Sequence, residues 1–354
     1  MDSKKKHYLL ILANENPSDH VHWVDVCNKY EEIKYDIVDL SKKDALSFIK
    51  KDKYDLCLAK PPGLTEKYKK LYDEKVYIIN NILKYPIYPS FIEILIYENK
   101  RFLSYWLEAN NIPHPRTKVI YESQQAIEFI RDEKYPLVAK TNIGASGSGV
   151  SILKSERQAK KYIYNTFYGS GATKRWGPNI KRKNLIKRFI SLMLNPSKMD
   201  DRMHAYSSRL KEKQKDYVIF QEYVPHKYEW RVVCIDDSYF AHKKLVVGGK
   251  ASGSLLKDYS NPPLSLLDFA RNIMETYGLM SQALDIFETE NCGYLVNEMQ
   301  CIFGQSDQYQ MLIDGKPGRY RYIDGQWLFE EGMYNDNMNY ELRIKHVIKI
   351  LSEK

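Results

Sequence analysis

Asp285, Glu298 and Gln300 place two carboxylates and an amide oxygen within sixteen residues of chain. They lie in two runs, Ala283–Glu288 and Tyr294–Gln300, that read as strands joined across Glu290-Asn291-Cys292-Gly293. Side chains alternate along a strand, so Glu298 and Gln300 share a face. With an even connecting loop, Asp285 lies opposite an even-numbered residue and joins them. Oxygen donors of this kind suit Mg²⁺, which leaves its other positions to phosphates and water. A solvated hairpin with ordinary acidic residues is the other reading of the same pattern.

A second group is Lys140-Thr141-Asn142-Ile143-Gly144-Ala145-Ser146-Gly147-Ser148-Gly149. Its spacing is neither that of a P-loop nor that of a dinucleotide fingerprint. The run after it, Gly149–Leu153, is strand-like, so no helix N-terminus is offered to a phosphate. A glycine- and serine-rich loop between strands can still present backbone N–H groups and hydroxyls to a polyphosphate, with Lys140 supplying charge. It is equally a plain hairpin loop. A third group runs Val218-Ile219-Phe220-Gln221-Glu222-Tyr223-Val224-Pro225, then Glu229-Trp230-Arg231. An apolar strand ending at a proline, followed by an acid and a base, reads as a hinge beside a nucleotide or as a buried strand with a salt-bridged exit.

The elements that must position these groups fall into three stretches. Through residue 90, β-like runs (Tyr8–Ala13, Tyr35–Leu40, Tyr54–Ala59, Val76–Asn80) alternate with helix-compatible ones (Val21–Tyr30, Lys43–Lys50). Such alternation predicts a small parallel α/β lobe, closed by the proline-punctuated Tyr85–Ser90. Asn99–Asn110 reads as a helix, and from Leu137 the texture turns β-rich, with one further helix over Leu264–Tyr277 stopping at Gly278. A hairpin is expected over Tyr320–Glu330 with its turn at Asp324-Gly325, and an amphipathic helix over Asn339–Leu351. The boundaries expected are 1–90, 91–223 with an insertion at 154–215, and 224–354.

The chain has 354 residues, 44% hydrophobic and 28% charged, which is a globular balance and more than one core's length. No run of about 18 apolar residues exists to span a membrane, and Met1–Lys6 leads straight into a β-like run, without the apolar stretch of a signal peptide. Five scattered cysteines form no CxxC pair, so a reducing cytosol is the expected compartment. The net charge is +9, but residues 154–215 hold 17 Lys/Arg against 4 Asp/Glu, and the other 292 residues net −4. One local anionic partner fits this distribution better than a nucleic-acid-binding domain does.

The order of the groups carries more than any one of them. A lysine opening a helix (Lys100) is followed by a strand lysine with its glycine-rich loop, then a strand-to-hinge segment, then the Asp…Glu-x-Gln hairpin. From about Glu98 to Gly304 this resembles the ATP-grasp superfamily, in particular carboxylate–amine ligases such as D-alanine–D-alanine ligase and the ribosomal-protein glutamate ligases. The resemblance implies an N-terminal Rossmann-like α/β lobe and two α+β subdomains clamping ATP. It implies phosphate contacts for Lys100 and Lys140, and the mobile phosphate-covering loop for Gly144–Gly149, including Ser146, Gly147 and Ser148. It likens Glu222 and Val224, with Gln221 beside them, to the positions that read adenine, and Glu229 to the ribose-binding acid. Arg231, Lys243 and Lys244 fall where the ligases keep cations for substrate or phosphate, and Asp285, Glu298 and Gln300 match the Asp…Glu-x-Asn that holds Mg²⁺, expected as two ions. Two departures stand out: Gln300 replaces the usual Asn with a longer arm, and 82 residues separate Lys140 from Glu222.

The activity so implied is amide formation from a carboxylate and an amine through an acyl phosphate. Two other readings are a kinase acting on an anionic acceptor and a polyanion- or membrane-docking protein with a vestigial ATP lobe. Substrate choice is expected from loop-like candidates: Pro61-Pro62-Gly63 and His20/His22/Trp23 in the first lobe, or Gln305–Arg321. His242 is a candidate base by position only. Within the basic stretch, Lys181–Leu194 has helical spacing that groups Leu185, Ile186, Phe189 and Met193, flanked by Lys183, Lys187 and Arg188. Such a helix either packs on the core with solvated cations or lies on an anionic bilayer, each cation contributing about 1 kcal/mol. The acceptor expected in the latter case is a lipid-linked sugar acid of a surface polysaccharide.

Overall fold

A computed structural model describes residues 6–144, 149–173, 207–208, 212–247, 250–251, 256–290, 293–305 and 307–353. Ser146, Gly147 and Ser148, and the helix expected over 181–194, lie outside the described residues.

The first lobe is a parallel sheet of β1 (His7–Ala13), β2 (Ile33–Asp39), β3 (Leu56–Ala59) and β4 (Ile87–Tyr88) in the order β2-β1-β3-β4, with α1 (Val21–Cys27), α2 (Ala45–Ile49) and α3 (Glu66–Tyr77) between strands. Leu9 and Ile11 pack with Trp23 on one face, while Leu10 and Leu12 pack with Tyr72 and Val76 on the other. A strand covered on both faces is continuously apolar, which is why Leu9–Leu12 lacks alternation. The strand expected at Val76–Asn80 is instead the end of α3 and a following π-turn. Lys69, Tyr72, Val76 and Ile79 are all buried, and that spacing is helical. The segment read as a closing linker supplies the fourth strand, since Ile87 and Tyr88 pair with Cys57 and Leu58.

After α4 (Phe91–Ile96) and α5 (Lys100–Ala109) come β5 (Thr117–Ile120), α6 (Ser123–Arg131), β6 (Leu137–Lys140), β7 (Val150–Leu153), α7 (Glu156–Phe167), a short pair β8 (Ala172–Thr173) and β9 (Lys213–Gln214), and β10 (Val218–Glu222). Strands β5-β10-β6-β7 form an antiparallel sheet. Leu137, Ala139, Val218 and Phe220 pack under α6 and α7. Strand alternation therefore turns Lys140 and Gln221 to the opposite face.

The largest sheet begins with β11 (Tyr228–Ile235), β12 (Ser238–Val247), β13 (Lys250–Ala251) and β14 (Lys257–Asp258). Helix α8 (Leu264–Thr276) follows, then β15 (Ser281–Thr289), β16 (Gly293–Gln300), β17 (Leu312–Ile313), β18 (Lys316–Ile323) and β19 (Gln326–Glu331). Its main path is β16-β15-β11-β12-β18-β17. Gly278, at φ 60°, ends α8 in the left-handed conformation that glycine adopts without a Cβ penalty. The expected hairpin turns at Asp324 and Gly325, both at positive φ. Helix α9 (Tyr340–Ser352) returns to the first lobe, where Tyr340, Ile344, Val347 and Leu351 share a core with Leu9, Ile11 and Trp23. No helix among the described residues is long and apolar enough to cross a membrane.

Candidate active site

The β15–β16 hairpin sets the site by its register. Thr289 pairs with Gly293, so three residues, an odd number, connect the strands, and an unbroken ladder would set Asp285 against Asn297. A bulge between Asp285 and Ile286 restores the even pairing: Ile286 faces Val296, while Asp285 faces Glu298 and Ala283 faces Gln300. Asn297 is the extra residue. A bulge re-aims the side chains beside it, and Asn297 reaches the same cluster as Glu298, accepting from Lys140 Nζ at 2.8 Å and donating to Glu229 Oε1 at 3.2 Å. Asn297 was not singled out from sequence, because strict alternation puts it on the other face.

Ladder pairing continues this face across the sheet. Asp285 pairs with Arg231, Arg231 with His242, and Glu229 with Lys244. The Arg231 guanidinium grips Asp285 through Nε and an Nη at 2.9 and 3.0 Å, and Lys244 Nζ lies 2.6 Å from Asp285 and 2.7 Å from Glu229. Asp285 is 2% exposed. Burial works against its charge, but Arg231 and Lys244 outweigh that and hold the carboxyl well below the usual carboxylate range. Lys243 is one residue out of step and so faces the other side, its ammonium 4.3 Å above the Tyr228 ring and 4.9 Å above Trp230. The structure does not bring Lys243 to the cluster.

Lys100 opens α5, whose cap is the Asn99 side chain accepting from Phe102 N–H. Its Nζ sits 3.3 Å from Glu298, 3.9 Å from Glu98 and 3.2 Å from the Gly144 carbonyl, to which it donates. Burial would lower its pKa, yet Glu298 and then Glu98 outweigh burial and raise it. Glu298 is correspondingly lowered against burial, chiefly by Lys100. Lys140 ends β6 with a neutral partner, Asn297, and burial pushes it down to about 8, opposed by Glu298 and assisted by Lys100. Gly144 is held from both sides, since its N–H donates to Glu98 at 3.1 Å. Glu98 was also not singled out as a site residue; it precedes Lys100 in the connection from α4, and no periodic signal marks it.

Between the two sheets Lys100, Lys140, Thr117, Gln221, His114 and Asn297 line part of a cleft. Gln221 is buried and donates to Thr117 Oγ1 at 3.0 Å. Glu222 accepts from the Arg116 N–H at 2.8 Å, and the Val224 carbonyl bonds the His226 ring at 2.7 Å. Glu229 is tied to Lys244 and Asn297. Among the described residues no three His, Cys, Asp or Glu side chains are grouped to hold a metal. A cation here would rely on Asp285, Glu298 and the Gln300 amide, a hard-oxygen set that suits Mg²⁺ with phosphates completing its shell. That three cationic side chains already crowd these two carboxylates shows the face can hold positive charge.

A parallel α/β lobe, a small antiparallel sheet and a larger one meeting across a charged cleft make up the ATP-grasp fold, and the chain has that fold. It is similar to an ATP-grasp RimK domain protein from Sphaerobacter thermophilus, with a TM-score of 0.51 at 14% identity, covering 82% of this chain and 90% of that one. It is also similar to D-alanine–D-alanine ligase from Bacillus anthracis, with a TM-score of 0.53 at 12% identity, covering 98% and 99% of the two chains. In sequence it is 24% identical over 215 residues to alpha-aminoadipate–LysW ligase LysX of Saccharolobus solfataricus, a match to 61% of this chain and 65% of that protein's length. No family model matches the chain.

Proposed function

We propose that the chain is an ATP-dependent carboxylate–amine ligase that forms an amide through an acyl phosphate. The observation that carries this reading is the single sheet face on which Asp285, Glu298 and Gln300 stand beside Arg231, with Lys100 and Lys140 reaching it from the opposing subdomain. A carboxylate resists attack by an amine until its oxygen is made a leaving group, and ATP does this by phosphorylating it. Catalysis is then mainly positioning and charge neutralisation.

Lys100 and Lys140 would contact the phosphates, with Gly144 anchoring the loop over them. Arg231, steadied by Asp285, would hold the acyl phosphate oxygens. Asp285, Glu298 and Gln300 would hold Mg²⁺, as two ions shared with the phosphates; when bound it supplies positive charge to the transferring group. Gln221, Glu222 and Val224 would meet the adenine and Glu229 the ribose, which requires Glu229 to exchange its bond to Lys244. His242 does not serve as base: it is buried, its Nδ1 is bonded to the Gln310 carbonyl, and burial first, then Arg231 and Lys257, push it down to about 3. The departing phosphate is the stronger base and takes the amine proton.

The charge of residues 154–215 supports an anionic acceptor, such as a surface-polysaccharide sugar acid reached at an anionic bilayer through residues 181–194. The buried free thiols of Cys27, Cys57, Cys234 and Cys301 suit a reducing cytosol. The test is an ADP-release screen against amino acids, peptides and uronic-acid sugars, with phosphate followed. ADP with free phosphate is expected. ADP with phosphate retained on the acceptor means a kinase, and no carboxylate-dependent ADP overturns the reading. Co-sedimentation with anionic liposomes at low salt checks the membrane part, which is wrong if the protein stays in the supernatant.

A further inference from the structure

Glu98 lies outside the residue pattern expected from sequence, yet it touches three of its members, Lys100, Gly144 and Gln300. Its carboxylate accepts the Gly144 N–H at 3.1 Å and Gln300 Nε2 at 3.4 Å, and lies 3.9 Å from Lys100 Nζ. It is 5% exposed. Its backbone is left-handed, at φ 48°, a conformation that costs a residue with a Cβ about 1–2 kcal/mol. Such a residue persists where its surroundings over-determine it. The first lobe presses on it as well: a Cβ on Gly63, in the Pro61-Pro62-Gly63 loop, would come within 2.9 Å of Glu98 Cγ.

Gln300 explains why a carboxylate is useful there. A glutamine amide has an oxygen that a cation can use and an NH₂ that it cannot, on a side chain one carbon longer than asparagine. Left unguided, either end could face the metal. In this structure Nε2 donates to Glu98 Oε1 and, at 3.3 Å, to Glu298 Oε1. Two carboxylate oxygens fix which end of the amide is nitrogen, because an amide oxygen in that place would be repelled. Glu298 is itself a candidate metal donor, so Glu98 is the acceptor left to hold the NH₂.

We infer that Glu98 is a positioning residue that turns the Gln300 amide so that its oxygen faces the cation, compensating for the longer arm. Partners that orient a metal ligand typically affect metal affinity 10–100-fold. By also holding the Gly144 N–H, Glu98 links the orientation of that ligand to the anchor of the phosphate loop. The inference rests on the proposed metal site, and the experiment separates the two.

Mn²⁺ binding is measured by titration calorimetry in the presence of a non-hydrolysable ATP analogue. Four proteins are compared: wild type, Glu98→Gln, Gln300→Asn and the double variant. Glu98→Gln keeps the shape and loses the charge that selects the NH₂ end, so Mn²⁺ affinity is expected to fall about 10–100-fold. In the Gln300→Asn background the shorter amide no longer reaches Glu98, and the same change is expected to have less than about a third of that effect in logarithmic terms. An unchanged Mn²⁺ affinity in Glu98→Gln overturns the inference, as does an equal loss in both backgrounds. Should Glu98→Gln fail to fold, Glu98→Asp takes its place: the shortened arm is expected to weaken Mn²⁺, and wild-type affinity overturns the inference. Absence of Mn²⁺ binding by wild type would instead remove the metal site, and this role for Glu98 with it.

Discussion

The two ends of the acidic face of the β15–β16 hairpin are held very differently. At Asp285 the carboxylate is clamped by a bidentate guanidinium and an ammonium at 2.6–3.0 Å, deep in the β11-β12-β15 ladder. At Glu298 and Gln300, near the end of β16, the contacts are looser, at 3.3 Å to Lys100 and 3.3–3.4 Å around the amide. A buried ion cluster whose partners are complete is costly to break from one side, because the remaining charges stay buried. The Lys100–Glu298 pair, whose Glu298 side chain is 24% exposed against 3% for Asp285, is nearer to solvent and can be exchanged for a ligand. The clamped end therefore reads as the fixed side of the site, and the looser end as the side that yields to a ligand.

The largest expected effect follows from the clamped end. Asp285→Ala leaves Arg231 and Lys244 without their shared acid, and unfolding free energy should fall by about 3–5 kcal/mol, read from urea denaturation. A loss below about 1 kcal/mol would erase the contrast between the two ends. Next comes Glu298→Gln, which should abolish ADP formation while costing less stability than Asp285→Ala. Wild-type turnover by a folded Glu298→Gln protein would remove Glu298 from the chemistry.

Lys140 gives a smaller, graded effect. Its pKa is pushed down to about 8, so the ammonium is charged below that pH and neutral above it. Anionic phosphates favour the charged form, so ATP affinity measured by calorimetry should weaken as pH rises from 7 through 9. Lys140→Arg should remove that dependence, since a guanidinium stays protonated there. The smallest effect is expected at Lys243, which lies over two aromatic rings on the far face. Lys243→Gln should leave kcat and the KM for ATP within about twofold, with a stability loss of about 0.5–1 kcal/mol.

What could be read from the chain was local order, and what could not was register. Strand alternation put Glu298 and Gln300 on one face, and the helix expected over Asn99–Asn110, opened by Lys100, runs Lys100–Ala109. An even loop was expected to set Asp285 on the face of Glu298 and Gln300; the loop is odd, and the bulge at Asn297 puts Asp285 there, opposite Glu298. No short-range signal announced that bulge, so Asn297 stayed hidden. Lys243 and Lys244 are indistinguishable in composition, and only the pairing of Glu229 with Lys244 says which one faces the acids. Glu98 sits on left-handed backbone between two helices, where neither helical nor strand periodicity applies. Val76–Asn80 failed for a related reason, because β-branched residues at the end of α3 meet the core at helical spacing.

On the proposed reading, the carboxylate of the acceptor is activated by phosphorylation on this face. Once a productive carboxylate is in hand, its two oxygens can be labelled with ¹⁸O and the released phosphate examined by ³¹P NMR. An acyl phosphate breaks between carbon and the bridging oxygen when the amine attacks, so one ¹⁸O should appear in free phosphate for each amide formed. Phosphate free of the label, or phosphate retained on the acceptor, would contradict the account.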